Sequence, residues 1–375
     1  MATRTVAEAT AEAREALAAM AGKPALYHCV SRVVWRELVL GAPEKEKLVS
    51  LLRKWEAFSQ VRVLAYCIMA NHFHLLVEVP ERPGKEPTED ELLQYLGLIY
   101  DGEKLQEIRA ELEQCRAQKN RAAVEALRER YLRRMWDLSA FMKNLKQDFS
   151  KWYNKRHGKR GNLWEQRFKS VLVEDGHAAQ VVSAYIDLNP VRAGVVAKAE
   201  AYRWSGWGEA VAGGREAREA VRRVMRERAP VGSDEKAGSG EVAPWRTVVA
   251  TYRHMLEGGG QGDADRKAGR KPAAPEGTAA GQPAKPAARR RGRPPKGAEL
   301  AAMSEAEMVR GRVRYFEDGM VVGSAEFVDG VFSLSRKWFG ERRTSGARKL
   351  AQANTPLRSM RALKVAPYGT DSPPA

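Results

Sequence analysis

Residues 65–79 read Ala65-Tyr66-Cys67-Ile68-Met69-Ala70-Asn71-His72-Phe73-His74-Leu75-Leu76-Val77-Glu78-Val79. Two apolar runs flank a short turn at Met69 to Asn71, which predicts a β-hairpin. Residues i and i+2 of a strand share a face, so His72 and His74 project together. Phe73 and Leu75 then point to the other side, against apolar cover. Two adjacent imidazoles make a half-site for a divalent metal. The plain alternative is two histidines on a half-exposed strand.

Working outward, Leu26 to Val34 has the character of a strand. Glu44 to Phe58 repeats Leu48, Leu51, Leu52 and Trp55 at helical spacing. Beyond the hairpin, Thr88-Glu89-Asp90-Glu91 has the form of a helix N-cap with an acidic first turn. The charged stretch 81–135 reads as an insertion, a helical hairpin. Asp137 to His157 carries Phe141, Met142, Leu145, Phe149 and Tyr153 on one side and Lys143, Lys146, Lys151 and Lys155 on the other. Leu163 to Glu174 ends as a strand, and His177 to Leu188 is a helix stopped by Pro190. The order β-α-β-β-α-β-α predicts an α+β fold, a ferredoxin-like antiparallel sheet with helices on one face. The other face is left open to bind something.

Domain organisation follows from composition. Residues 1–24 form a helical lead-in and 25–210 the main domain. Residues 211–304 form a flexible basic linker, poor in large apolar residues over 257–300. Residues 305–366 form a small C-terminal module of unassigned role, in which Val313 to Phe327 reads as a hairpin turning at Asp318-Gly319. The chain of 375 residues carries a formal net charge of +17, which argues for a polyanionic partner, most often nucleic acid. Cys29, Cys67 and Cys115 are far apart and make no Cys-x-x-Cys, so neither a disulfide framework nor a zinc finger is indicated. That suits a reducing cytoplasm, where a nucleoid association is expected. No apolar run approaches the roughly 18 residues that span a bilayer, and no glycine pattern indicates a nucleotide cofactor.

Two further constellations carry chemistry. Tyr185 and Asn189 are four apart and share a helix face if the helix reaches Asn189. Equally, they are an amphipathic helix residue and a cap. In Trp164-Glu165-Gln166-Arg167-Phe168-Lys169, Arg167 and Lys169 alternate with Phe168 and share one strand face beside Trp164. Paired cations next to an indole suit a phosphate backbone with a stacked base, and the alternative is a solvated strand edge.

Taken in order, these motifs resemble the single-tyrosine HUH transposases (IS200-like), and among them the REP-associated tyrosine transposases. The resemblance rests on Tyr27-His28 with Ser31-Arg32, on Ala65 to Met69 with Asn71 to Leu76, on Leu163-Trp164 with Arg167 to Ser170, and on Tyr185-Ile186 with Leu188 to Gly194. It covers residues 25–210. It implies the HUH endonuclease fold and metal-dependent cleavage and rejoining of single-stranded or hairpin DNA. His72, His74 and Asn189 would hold Mg²⁺ or Mn²⁺. Tyr185 would attack phosphorus, leaving a 5′-phosphotyrosine and a free 3′-OH, and the covalent link conserves the phosphoester energy for rejoining. Trp164, Arg167, Lys169, Lys143, Lys146 and Arg192 would contact DNA. No general base is evident, and His28 is the nearest candidate. The protein would be a monomer or homodimer with no membrane association.

The chain departs from the family pattern in the insertion and in everything after 211. Arg289 to Lys296 resembles an AT-hook, in which Arg291 and Arg293 would lie in the narrow minor groove of A/T-rich duplex DNA; a basic linker without preference is the alternative. The competing function is a DNA-binding regulator that keeps the fold without turnover.

Overall fold

The computed structural model describes residues 24–226, 243–257 and 303–361, without 312, 337, 338 and 352. The lead-in up to residue 23, most of the linker, and the basic segment with Arg291 and Arg293 lie outside the described residues.

Four strands form the centre: β1 (Ala25–Arg32), β2 (Arg62–Ile68), β3 (His72–Val79) and β4 (Lys169–Val173). They pair antiparallel in the order β2-β3-β1-β4. Helix α1 (Ala42–Ser59) connects β1 to β2, and the connection from β3 to β4 ends in α5 (Leu138–His157). This is the ferredoxin-like arrangement that the sequence predicts. Its first face buries Tyr27, Cys29, Phe73, Leu75 and Val77 against Trp55 and Phe58 of α1 and Phe141, Leu145 and Phe149 of α5. Helix α5 forms where apolar residues recur at 141, 145 and 149, and Asp137 starts it by accepting from the Ala140 amide. Gly158, at φ 59°, ends it, a left-handed position that favours glycine.

The insertion holds three helices: α2 (Glu89–Gly97), α3 (Gly102–Ala117) and α4 (Arg121–Leu132). Thr88 and Glu91 form a reciprocal capping box at the start of α2, as the sequence suggests. Asp101 caps α3 separately, which splits the insertion once more than a hairpin would. Leu92, Leu96, Ile108, Leu112 and Leu127 join the first core.

The second face is covered, where the sequence reading leaves it open. Helix α6 (His177–Asp187) lies on it, with α7 (Gly206–Ala212), α8 (Arg215–Met225) and α9 (Trp245–Leu256). The reason is in the strands. Leu26, Leu64, Leu76, Val171 and Val173 line this face, so both sides of the sheet are apolar and both need cover. Packing therefore continues past residue 210 into helices that bury Val221, Val224, Tyr252 and Leu256.

The C-terminal segment extends the same sheet. It begins with β5 (Met303–Ser304), α10 (Glu305–Arg310) and α11 (Tyr315–Asp318). Strand β6 (Val321–Gly323) then lies parallel beside β4, followed by α12 (Ala325–Leu334), β7 (Arg348–Lys349), β8 (Ala353–Asn354) and β9 (Arg358–Ser359). The full order is β2-β3-β1-β4-β6-β9-β7, with β5 and β8 paired apart. The expected hairpin at Asp318-Gly319 is absent. The Gly319 amide donates to the Tyr315 carbonyl, so Asp-Gly closes a helical turn instead. Val321 and Val322 are both buried, as in an internal strand, and Ser324 caps α12 through the Phe327 amide.

Candidate active site

β3 directs His72 and His74 to the second face, opposite Phe73 and Leu75. The registers Arg32↔His72 and Val30↔His74 bring β1 alongside and put His28 diagonal to His74. The His72 and His74 ring centroids are 5.1 Å apart, and the His28 and His74 rings stack at 5.2 Å. Tyr185 comes from the last turn of α6, with its ring 6.1 Å from His28 and 6.2 Å from His74. One further helical turn, Asn189–Arg192, follows. The fourth contributor is Phe316-Glu317 in α11.

Hydrogen bonds fix the ring tautomers. The Phe316 carbonyl can only accept, so His28 Nδ1 donates to it at 2.6 Å. Burial lowers His28 to a pKa of about 4, so the ring is neutral at pH 7 and its Nε2 must accept. His74 Nδ1 therefore donates to His28 Nε2 at 3.0 Å. His74 is 0% exposed, and burial, aided by the neighbouring His72 and His28, holds it neutral well below the usual 6.5. Its Nε2 is left with a lone pair and no hydrogen-bond partner, an orphaned buried polar atom. Asn71 orients His72 in a similar way. The Asn71 amide donates to the Arg36 carbonyl at 2.8 Å, which turns its Oδ1 to accept from His72 Nδ1 at 2.7 Å. Two imidazoles, each hydrogen-bonded at Nδ1, make a donor set suited to a divalent cation. Among the described residues, no group of three or more His, Cys, Asp or Glu side chains is clustered to hold a metal. The set is thus two imidazoles. Asn189 Nδ2 donates to the carbonyls of Ile186 and Tyr185, at 3.1 and 3.4 Å, the placement of a cap.

Tyr185 is 1% exposed. Its hydroxyl donates to Glu317 Oε1 at 3.3 Å, and Glu317 Oε2 accepts from Arg32 at 2.7 Å. The Phe316 ring packs 4.9 Å from the Tyr185 ring, and the Arg192 guanidinium lies 4.0 Å over it. This arrangement closes the tyrosine off from a phosphate. Sequence reasoning misses Phe316 and Glu317. Glu317 stands 132 residues past Tyr185, with Phe316 just before it, where no local pattern announces them. His28, the candidate base, is committed at both ring nitrogens and braces His74.

The expected DNA contacts divide. Trp164 is 3% exposed, packs edge-on against Phe73 and donates from its indole to the Lys146 carbonyl. Its face is therefore not available for base stacking, because the chain after α5 folds back under β3. Lys146 donates to the Gln166 carbonyl, and burial pushes its ammonium down to about 8, with Arg167 adding to the effect. Lys169 opens β4 and pairs with Asp318 at 2.8 Å, while Arg167 precedes the strand, so the two do not share a strand face. Lys143 and Arg167 are exposed. Arg192 turns inward and donates to the carbonyls of Val309 and Tyr185, both at 2.6 Å, which ties α6 to the C-terminal segment.

Comparison with known proteins bears on residues 23–84, which match the model of the family "Transposase IS200 like". No curated protein matches the chain. A solved structure, "Structure of the REP associates tyrosine transposase bound to a REP hairpin", is similar at 16% identity and a TM-score of 0.32, covering 51% of this chain and 82% of that one. The matched segment, residues 23–84, is the one that holds His28, His72 and His74.

Proposed function

We propose that this protein cuts and rejoins single-stranded DNA beside a hairpin through Tyr185, with Mg²⁺ or Mn²⁺ held by His72, His74 and Asn189. The observation that carries the reading is the buried, unpartnered Nε2 of His74, whose ring lies 6.2 Å from the Tyr185 ring. When bound, the metal supplies Lewis-acid polarisation of the scissile phosphate and offsets its charge. The chain's own residues supply the rest. Tyr185 Oη forms the bond to phosphorus and the bond from phosphorus to the 3′ oxygen breaks, leaving a 3′-OH after proton uptake from water. Glu317 is the carboxylate that faces the tyrosine proton, and Arg32 holds that carboxylate in place. Arg192 backs the ring. The Phe316-Glu317 turn also covers Tyr185, so a phosphate reaches Oη only after α11 moves.

The test is a denaturing gel of the full chain with labelled hairpin DNA and Mn²⁺. A covalent band is expected, lost in Tyr185→Phe and reduced at least about 10²-fold in His74→Ala. Cleavage without an adduct would assign water as the nucleophile. Binding without cleavage over a range of flanking hairpins would favour a regulator that has kept the fold.

A further inference from the structure

The loop after β1 carries an indole that the site does not use. Trp35 is 84% exposed and Leu38 72%, two of the five large hydrophobic side chains exposed among the described residues. The backbone there is strained, since Trp35 and Arg36 both adopt left-handed conformations at φ 58° and 57°. Such conformations persist where the surroundings over-determine them. Here both flanks are clamped. On one side the Val33 amide donates to the Asn71 carbonyl at 2.8 Å, the Leu40 amide to the Ala70 carbonyl at 2.9 Å, and the Asn71 side chain to the Arg36 carbonyl. On the other side the Val34 amide donates to the Leu163 carbonyl and the Glu165 amide to the Arg32 carbonyl, both at 2.9 Å. Asn71 is also the residue that orients His72. A solvent-facing indole thus sits on a clamped loop, and one side chain, Asn71, links the Arg36 carbonyl of that loop to His72.

We propose that Trp35 is a stacking platform for an unpaired nucleobase of the DNA strand that enters the site. This inference rests on the reading of the site as one that works on single-stranded DNA. It moves the stacking role from Trp164, which is buried, to a side chain whose face is free. Exposed Arg36 and Arg167 flank the loop, but Glu37 and Glu165 share the rim. Mixed charge suits contact through a base face better than through phosphate. A second protein is the weaker occupant: an aromatic side chain buries about 150–250 Å², and with one leucine that is far below the roughly 1,200 Å² of a stable interface.

The experiment measures fluorescence anisotropy of the full chain in EDTA, with labelled oligo-dT and with a blunt duplex of equal length. No turnover is needed, so the result stands apart from the tyrosine chemistry. Trp35→Ala is expected to weaken oligo-dT binding about 5- to 160-fold, the range for loss of one stacked base, and to leave duplex binding unchanged. Trp35→Phe should recover most of the affinity and Trp35→Leu should not. Unchanged oligo-dT binding in Trp35→Ala, equal loss on duplex and single strand, or full recovery by Trp35→Leu each overturn the proposal. So does a dimer-to-monomer shift in Trp35→Ala, which would assign the indole to a second copy of the chain. Failure of the wild type to form a covalent adduct, with these binding differences intact, would sink the cleavage reading and leave this one standing.

Discussion

Replacing His28 by leucine tests the chain of rings that readies His74. The substitution leaves two buried groups without partners: the Phe316 carbonyl loses its donor and His74 Nδ1–H loses its acceptor. Each orphan costs about 1–3 kcal/mol, so His28→Leu should lower folding stability by roughly 2–6 kcal/mol. The more specific effect is on the metal. With no acceptor at Nδ1, the His74 proton is free to move to Nε2, the atom that would ligate. Loss of such a bracing partner typically costs about 10–100-fold in metal affinity. His28→Gln offers an amide oxygen to Nδ1 and should recover part of that loss. The assay is a Mn²⁺ titration of the full chain by electron paramagnetic resonance, with thermal melts alongside. If folded His28→Leu binds Mn²⁺ as tightly as the wild type, the hydrogen-bond chain does not ready His74. If His28→Gln binds as weakly as His28→Leu, ring volume matters and the acceptor does not.

Asp187 accepts from the Tyr252 hydroxyl at 2.7 Å and the Trp207 amide at 3.3 Å, yet burial lifts its carboxyl from 3.8 to about 7. Folding then takes up a proton between about pH 4 and 7, so the stability linked to it is present in acid and lost as pH rises through 7, by at most roughly 4 kcal/mol. Asp187→Asn should flatten the melting temperature across that window, and an unchanged pH slope would show that Asp187 does not carry it. Phe316 is fully buried, so Phe316→Ala should cost about 3–5 kcal/mol. It should nonetheless speed adduct formation by loosening the cover over Tyr185; slower adduct formation per folded molecule would make the turn part of the working site and not its cover.

How much of this is legible in the sequence depends on the range of the contact. The hairpin over 65–79 and helices α5 and α6 follow from periods of 2 and 3.6 within a single stretch, and the structure places them where those periods put them. The same reasoning puts His72 and His74 on one strand face, whereas Tyr185 is joined to them only by the family resemblance. It goes wrong at Trp164, where two cations in alternation look like a DNA edge. The indole is in fact fixed by Phe73 and Phe149, on elements that pattern alone cannot bring against it. It also goes wrong at Val313 to Phe327, where Asp-Gly between apolar runs signals a hairpin. The docking of Val321 and Val322 against β4 decides otherwise. Leu26, Leu76, Val171 and Val173 do record that the second face is covered. In a strand apolar on both sides, however, alternation is weak, and what covers each side is a tertiary matter.

The closed turn and the proposed metal site would then be one linked system, and the linkage would set an order of events. Moving α11 to uncover Tyr185 removes the Phe316 carbonyl from His28 Nδ1. Freed at that nitrogen, His28 can carry its proton on Nε2 instead. His74 would then have to accept at Nδ1 and hold its own proton on Nε2, which opposes ligation. A cation held at His74 Nε2 would forbid that exchange, because the His74 proton would stay on Nδ1 and the lone pair on His28 Nε2. The physical consequence is that the metal should bind while the turn is closed and keep the rings in the ligating tautomer when it opens.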